Sequence, residues 1–227
     1  MPLLTKIFGQ LAPRANWSFH WDGLEKLPLF SAFASRVSLD HAYNSNYKRR
    51  WRIAPAGDEI TESQTIGYNF APLAGVNLGF KDFIKGNFGA TFRYGLSTSY
   101  DLVPSGQNVV QSDQTDISVT ANFSRSGFEI PFFGLSLSND IDISFSYTNS
   151  QSSRRQYDFK NIYLSEGQPL EGSTRSTMEP RIRYTLSARV TASAYYRYTK
   201  IAPDNGGSKI PGSTTNEGGL DIHVAIQ

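Results

Sequence analysis

Charged residues at alternate positions of one short segment are the first candidates for chemistry in this sequence. Glu179, Arg181 and Arg183 are each two residues apart, so a β-strand would place all three side chains on one face. A carboxylate held beside guanidinium groups could act as a general acid or base. Paired charges at this spacing also form the polar wall of a water-filled space, and we favour this second interpretation.

Metal and cofactor chemistry finds little support in the sequence. His20, His41 and His223 are far apart, and none lies in a metal-binding spacing such as HExxH. The Asp-rich stretches at 112–116 and 139–142 do not match the EF-hand calcium loop. The chain contains no cysteine and no phosphate-binding glycine loop. We therefore expect no enzyme activity, no metal and no cofactor.

A basic segment and a tyrosine group could in principle bind nucleic acid or sugar. KRRWR at residues 48–52 carries four cations, and Tyr195, Tyr196 and Tyr198 could form a stacking platform. The formal net charge is only +2, which is too balanced to indicate a nucleic-acid partner. A charged rim and an aromatic belt at a membrane surface explain the two features better. No nucleic acid is expected as a partner.

The elements that carry these residues repeat with a period of two. The composition, with 12 Tyr, 15 Phe and 19 Gly, favours strands and turns. About nine segments show one apolar and one polar register. The apolar register, predicted to face lipid, includes Val37, Leu39, Phe92, Leu96, Val119, Ile143, Phe145, Ile182 and Val224. The polar register, predicted to face a lumen, includes Asn44, Asn46, Arg93, Ser97, Asn122, Ser144, Arg181, Arg183, Arg197 and His223.

Long strands with one apolar register are typical of transmembrane barrels. In lipid every backbone polar group must be paired, so strands span only as a closed barrel. About 9–11 tilted residues cross the bilayer, so the long alternation at 36–53 must overshoot it, and its NYKRRWRI end must lie in water. A soluble β-sandwich is the alternative fold, although its outward faces usually carry more Lys and Glu.

The predicted connectors alternate in length, as in up-and-down outer-membrane barrels. The short connectors are expected at 81–87 and 187–189, and the segment 127–140 is expected to be a structured turn near the membrane surface or in the barrel mouth. The long polar connectors are expected at 55–63, 104–114, 151–174 and 202–216.

Several long phrases resemble the C-terminal region of the SprA/Sov family, the outer-membrane translocons of type IX secretion. These phrases are RANWSFHWDGLEKLPLF, VSLDHAYNSNYKRRWRI, SGFEIPFFGLSLSNDIDISFSYT, TMEPRIRYTLSARVTASAYYRYTK and IPGSTTNEGGLDIHVAIQ. The resemblance covers nearly all residues after about Gln10. It implies that residues 1–227 are the C-terminal part of a very large barrel, with 1–12 the remnant of a preceding connector. The fold class expected is all-β, with antiparallel up-and-down strands in an open segment of that barrel.

The same resemblance implies a function and partners. The chain would be a structural wall of a protein-conducting pore that exports surface adhesins for gliding and other proteins. Its partners would be membrane lipid, secreted protein in the lumen, a porin-like protein that covers a lateral opening, and a periplasmic plug. The C-terminus would be periplasmic and the long loops extracellular. The residues leave open a generic outer-membrane barrel for solute uptake and a soluble carbohydrate-binding β-sandwich.

Overall fold

Nine antiparallel strands in sequence order form one sheet. The computed structural model describes residues 15–128, 139–158, 166–204 and 209–225. The strands are β1 (Trp17–Trp21), β2 (Ala34–Ile53), β3 (Glu59–Phe83), β4 (Gly86–Val103), β5 (Asn108–Phe128), β6 (Asn139–Asp158), β7 (Gln168–Ser187), β8 (Val190–Pro203) and β9 (Ser213–Val224). Each strand pairs with the next, and the sheet is not closed into a barrel. The prediction of an all-β fold with about nine antiparallel up-and-down strands is confirmed.

Short helices occur only in connectors of the described part of the chain. A 3-10 helix (Leu24–Lys26) and a four-residue helix α1 (Pro28–Ser31) join β1 to β2, and a second 3-10 helix (Pro104–Gly106) joins β4 to β5. In the described ranges no helix has the length and apolar character needed to cross a membrane. The predicted N-terminal remnant at 1–12 and most of the turn predicted at 127–140 lie outside the described residues.

The connectors predicted to be long are shorter in the structure. Strand β6 continues to Asp158 and strand β9 begins at Ser213, so residues expected in loops extend the paired strands instead. Strands β3 and β5 also begin earlier than predicted. The connectors predicted at 55–63 and 104–114 are therefore only 54–58 and 104–107. The apolar alternation ends before the strands do, because hydrogen bonds between the backbones of paired strands form whatever the side chains are. The predicted long loops are therefore mostly projecting polar hairpins.

Two of the expected tight turns are present. Strands β3 and β4 are joined by Ile84 and Lys85, both with positive φ (51° and 55°). Positive φ at both central residues gives the hairpin the twist that its right-twisted strands need. Strands β7 and β8 are likewise joined by only two residues, 188–189. The turns at Ile84 and at 188–189, together with the end of β9 at Val224, lie at one end of the sheet.

Few side chains are buried, because the fold is a single layer. One small core contains Leu24, Ala34 and Val37, with Phe30, Leu39 and Leu78 packed against it. Val37 is only 1% exposed, since the connector between β1 and β2 covers it. Large apolar residues elsewhere in the described chain stay open, including Phe92 at 40% and Ile182 at 48% exposed. The sheet therefore presents a broad apolar face.

Candidate functional site

The apolar face is built by cross-strand register. Residues directly opposite each other in an antiparallel pair point to the same side of the sheet. The register pairs Phe123 with Ile143 and Ile143 with Ile182, so one apolar row crosses three strands. A continuous row across the sheet contains Phe80, Phe88, Phe123, Ile143, Ile182, Ala194 and Leu220. All nine residues of the predicted lipid-facing register lie on this face, although Val37 is covered by the connector.

The apolar band slants across the strands. Counted upward from the end of the sheet that carries the tight turns, large apolar side chains of this face extend on β4 up to Leu102, and on β7 the corresponding run ends at Met178. Met178 pairs with Tyr147, Tyr147 with Val119 and Val119 with Phe92, so Met178 and Phe92 lie at the same level of the sheet. The upper limit of the band is therefore lower on β7 than on β4. On β9 the run ends lower still, at Leu220. A uniform apolar slab meets tilted strands at different levels, as this band does.

The opposite face holds the ten residues predicted to face a lumen. Its cross-strand rows contain mainly Ser, Thr, Asn, Gly and charged side chains. One row runs from Asn122 through Ser144 and Arg181 to Tyr195. In the described ranges no buried side-chain nitrogen or oxygen lacks a hydrogen-bond partner. The face is therefore polar, and its few buried polar atoms are paired.

A charge network on the polar face joins β7, β8 and β9. Glu179 accepts hydrogen bonds from Arg197 Nε at 2.7 Å and Arg181 Nη2 at 3.0 Å, and Arg197 also lies 3.4 Å from Glu217. The Tyr195 hydroxyl donates to Glu217 at 3.0 Å, and the Arg181 guanidinium stacks 5.0 Å from the Tyr195 ring centre. Both oxygens of Glu179 are engaged, so this carboxylate is an ion-pair partner and not a free base.

The ring of Tyr195 lies directly over Gly219 on the neighbouring strand. A Cβ added at Gly219 would come within 2.5 Å of Tyr195 Cε1. A side chain at this position would therefore displace the Tyr195 ring. The sequence shows the glycine but not the ring above it.

A second polar network was missed by sequence reasoning, which treated His20 as isolated. His20 on β1 bonds the carboxylates of Asp40 on β2 and Asp22, the latter at 2.6 Å. The Asn77 amide on β3 donates to Asp40 at 2.9 Å, and the Thr91 hydroxyl on β4 donates to Asn77 at 3.1 Å. The network ties the edge strand β1 to the sheet. Pairing the registers of WSFHW and SLDHAY as a hairpin could have predicted it.

Metal binding finds no further support in the structure. No group of His, Cys, Asp or Glu among the described residues is arranged to hold a metal ion. The Asp-rich stretch at 112–116 lies in β5, where Asp113 accepts from Thr98 at 2.8 Å and Asp116 accepts from Ser150 at 2.6 Å. These carboxylates are held by neighbouring strands instead of converging on a cation.

The projecting hairpins are bound together by polar side chains. Arg154 and Glu171 form an ion pair of 2.7 Å between β6 and β7. In the basic segment at 48–52, Arg49 lies 3.3 Å from Glu59 and Arg52 lies 3.5 Å from Glu62. Two arginines of β2 are thus paired with acids of β3.

The sequence matches no protein-family model and no curated protein. The function must therefore be inferred from the two faces of the sheet and from what each face can contact.

Proposed function

We propose that this chain forms part of the wall of a very large β-barrel in the outer membrane. The apolar face contacts lipid, and the polar face lines a water-filled lumen. The observation that carries the proposal is the slanted apolar band across the strands. The residues that alternate with those of the band form the polar face on the other side of the sheet. Tilted strands crossing an apolar slab require both features.

The open edges of the sheet support a segment of a larger barrel. In lipid each unpaired backbone group costs several kcal/mol, so the outer edges of β1 and β9 need partner strands. Further strands of the same barrel would supply them. The soluble sandwich is disfavoured, since the nine described strands form one sheet and no second described sheet covers the apolar face.

We assign protein export as the function, on the strength of the resemblance to the SprA/Sov translocons. A lumen lined by small polar residues and by paired charges such as Glu179 with Arg197 offers few sites that would hold a passing chain. Secreted protein occupies the lumen, and a porin-like protein and a periplasmic plug are the implied partners. The tight turns and the end of β9 face the periplasm, and the projecting hairpins face the outside.

The topology is tested with single cysteines, which the natural chain lacks. Ala56→Cys in the β2–β3 connector should react with a membrane-impermeant maleimide on intact cells. Ala188→Cys in the β7–β8 turn should react only after the outer membrane is permeabilised. The reverse pattern would overturn the orientation.

The export function is tested by photo-crosslinking from neighbouring residues of β6. A photoreactive amino acid at Ser144, on the polar face, should crosslink to secreted proteins during export. The same group at Ile143, on the apolar face, should not. If Ser144 reacts only with small solutes, the alternative of a solute-uptake barrel is favoured.

A further inference from the structure

The connector between β1 and β2 packs onto the apolar face of the sheet. Its Leu24 is buried against Ala34 and Val37, and its Phe30 packs beside them. These contacts cover the lower end of β2, which sequence reasoning assigned to lipid. The inner side of this connector is therefore apolar and already occupied.

The outer side of the connector is apolar as well. Leu27 is 46% exposed, Leu29 is 73% exposed and Phe33 is 43% exposed. Phe33 extends the aromatic row of the sheet. Its ring centre lies 6.0 Å from that of Phe80, which in turn lies 5.0 Å from that of Phe88. The connector thus carries apolar side chains on its inner side, at Leu24 and Phe30, and on its outer side, while Glu25, Lys26 and Ser31 are its polar residues. The sheet covers the inner side.

The connector is fixed to the sheet at several points. The Lys81 backbone N–H donates to the Phe33 carbonyl at 2.9 Å, and its Nζ donates to the Ser31 carbonyl at 2.7 Å. The Val37 N–H donates to the Glu25 carboxylate at 3.1 Å, where the pairing of β1 with β2 has ended. The exposed side chains are thus held in place on a rigid support.

The surroundings of the connector fit a bilayer interface. It lies at the end of the sheet that carries the tight β3–β4 turn, where Ile84 is 63% exposed. Lys26 lies within it and Lys81 lies beside it, and such side chains place apolar stems in a membrane and charged ends among headgroups. Its outer surface also continues the apolar face without a polar break at Phe33 and Phe80.

We infer that residues 24–33 are a membrane-interface anchor. Leu27, Leu29 and Phe33 insert among phospholipid acyl chains at the leaflet on the tight-turn side, and the lysines contact the headgroups. The anchor also shields the start of β2 from water, because β1 pairs only with residues 39–43 of that strand. This inference rests on the proposed function, because the adjacent sheet face must itself lie in lipid.

The test places a nitroxide on one introduced cysteine at a time, in the complete barrel reconstituted into vesicles of phosphatidylethanolamine and phosphatidylglycerol. Collision rates are measured with oxygen, which concentrates in lipid, and with a water-soluble nickel chelate. The test position is Leu29→Cys. Ile143→Cys reports on the apolar face, and Ala56→Cys and Ser144→Cys report on water-exposed positions.

Leu29→Cys should collide several-fold more often with oxygen than with the nickel chelate, as Ile143→Cys should. Ala56→Cys and Ser144→Cys should show the reverse ratio. Lipid contact at Ile143 with water contact at Leu29 overturns the anchor alone. Protection of Leu29 from both reagents also overturns it, because a protein partner then covers the connector. Water contact at Ile143 overturns the proposed function.

Discussion

Replacing Leu96 with arginine is expected to destabilise the membrane-inserted state by about 2–4 kcal/mol. Leu96 lies on the apolar face of β4, opposite Phe70 and level with Thr115. The apolar face of β4 extends from Phe88 to Leu102, which is about 46 Å along the strand at about 3.3 Å per residue. A tilt of about 40° reduces this to a height of about 35 Å, enough to cross a hydrocarbon core of about 30 Å.

The magnitude follows from the depth of Leu96 along this face. The midpoint between Phe88 and Leu102 is Gly95, so Leu96 lies only about 3 Å from the midplane. Arginine on the lipid face is most unfavourable near the midplane, at about 2–4 kcal/mol. The equilibrium constant for folding should therefore fall by a factor of about 30 to 1,000.

The measurement is a guanidinium titration of the complete barrel in lipid vesicles. The matched control is Ser97→Arg, since Ser97 is the next residue and lies on the polar face beside Gln114. This control should change stability by no more than about 0.5 kcal/mol. Equal losses at Leu96 and Ser97 would show that the polar face is not in water. No loss at either position would show that the apolar face is not in lipid.

Substitutions at three further positions test individual features of the structure. Ile84→Asn should stabilise the chain by about 1 kcal/mol, because a β-branched residue is disfavoured at the positive φ of this turn and Asn tolerates it; an unchanged guanidinium midpoint would contradict the turn geometry. Glu25→Ala should speed amide exchange at Val37, whereas Glu25→Gln, which keeps an acceptor, should retain part of the protection. The hydrogen bond from the Val37 N–H holds the pKa of Glu25 below its ordinary value of 4.5. The protection of the Val37 amide is therefore complete above that pH and is lost as the pH falls through the lowered pKa. Exchange at Val37 in the unsubstituted chain with no acid dependence beyond the intrinsic rate would refute this. Glu179→Ala should destabilise the chain by only about 1 kcal/mol in the same titration, because both arginines that it binds are more than 40% exposed; a loss of several kcal/mol would mean that the network is shielded from water.

The two faces of the sheet could be predicted from the sequence because side-chain direction in a strand is local. Successive residues point to opposite sides, so the neighbours Ile143 and Ser144 had to separate once the segment was extended. The tight turn between β7 and β8 was also predictable, since only residues 187–189 separate the two alternating segments of the sequence. Strand ends were not predictable, because at Asp158 the backbone pairing continues after the apolar alternation has stopped.

The contacts that complete the surfaces depend on residues distant in sequence. The alternation of the sequence alone determined an all-β chain with an apolar and a polar register, because period two is a property of the extended backbone. Only the tertiary structure decided that Tyr195 covers Gly219 and that Leu24 buries Val37. Each of these contacts depends on strand register or on the path of a connector, which are set by packing across the sheet and not by neighbouring residues.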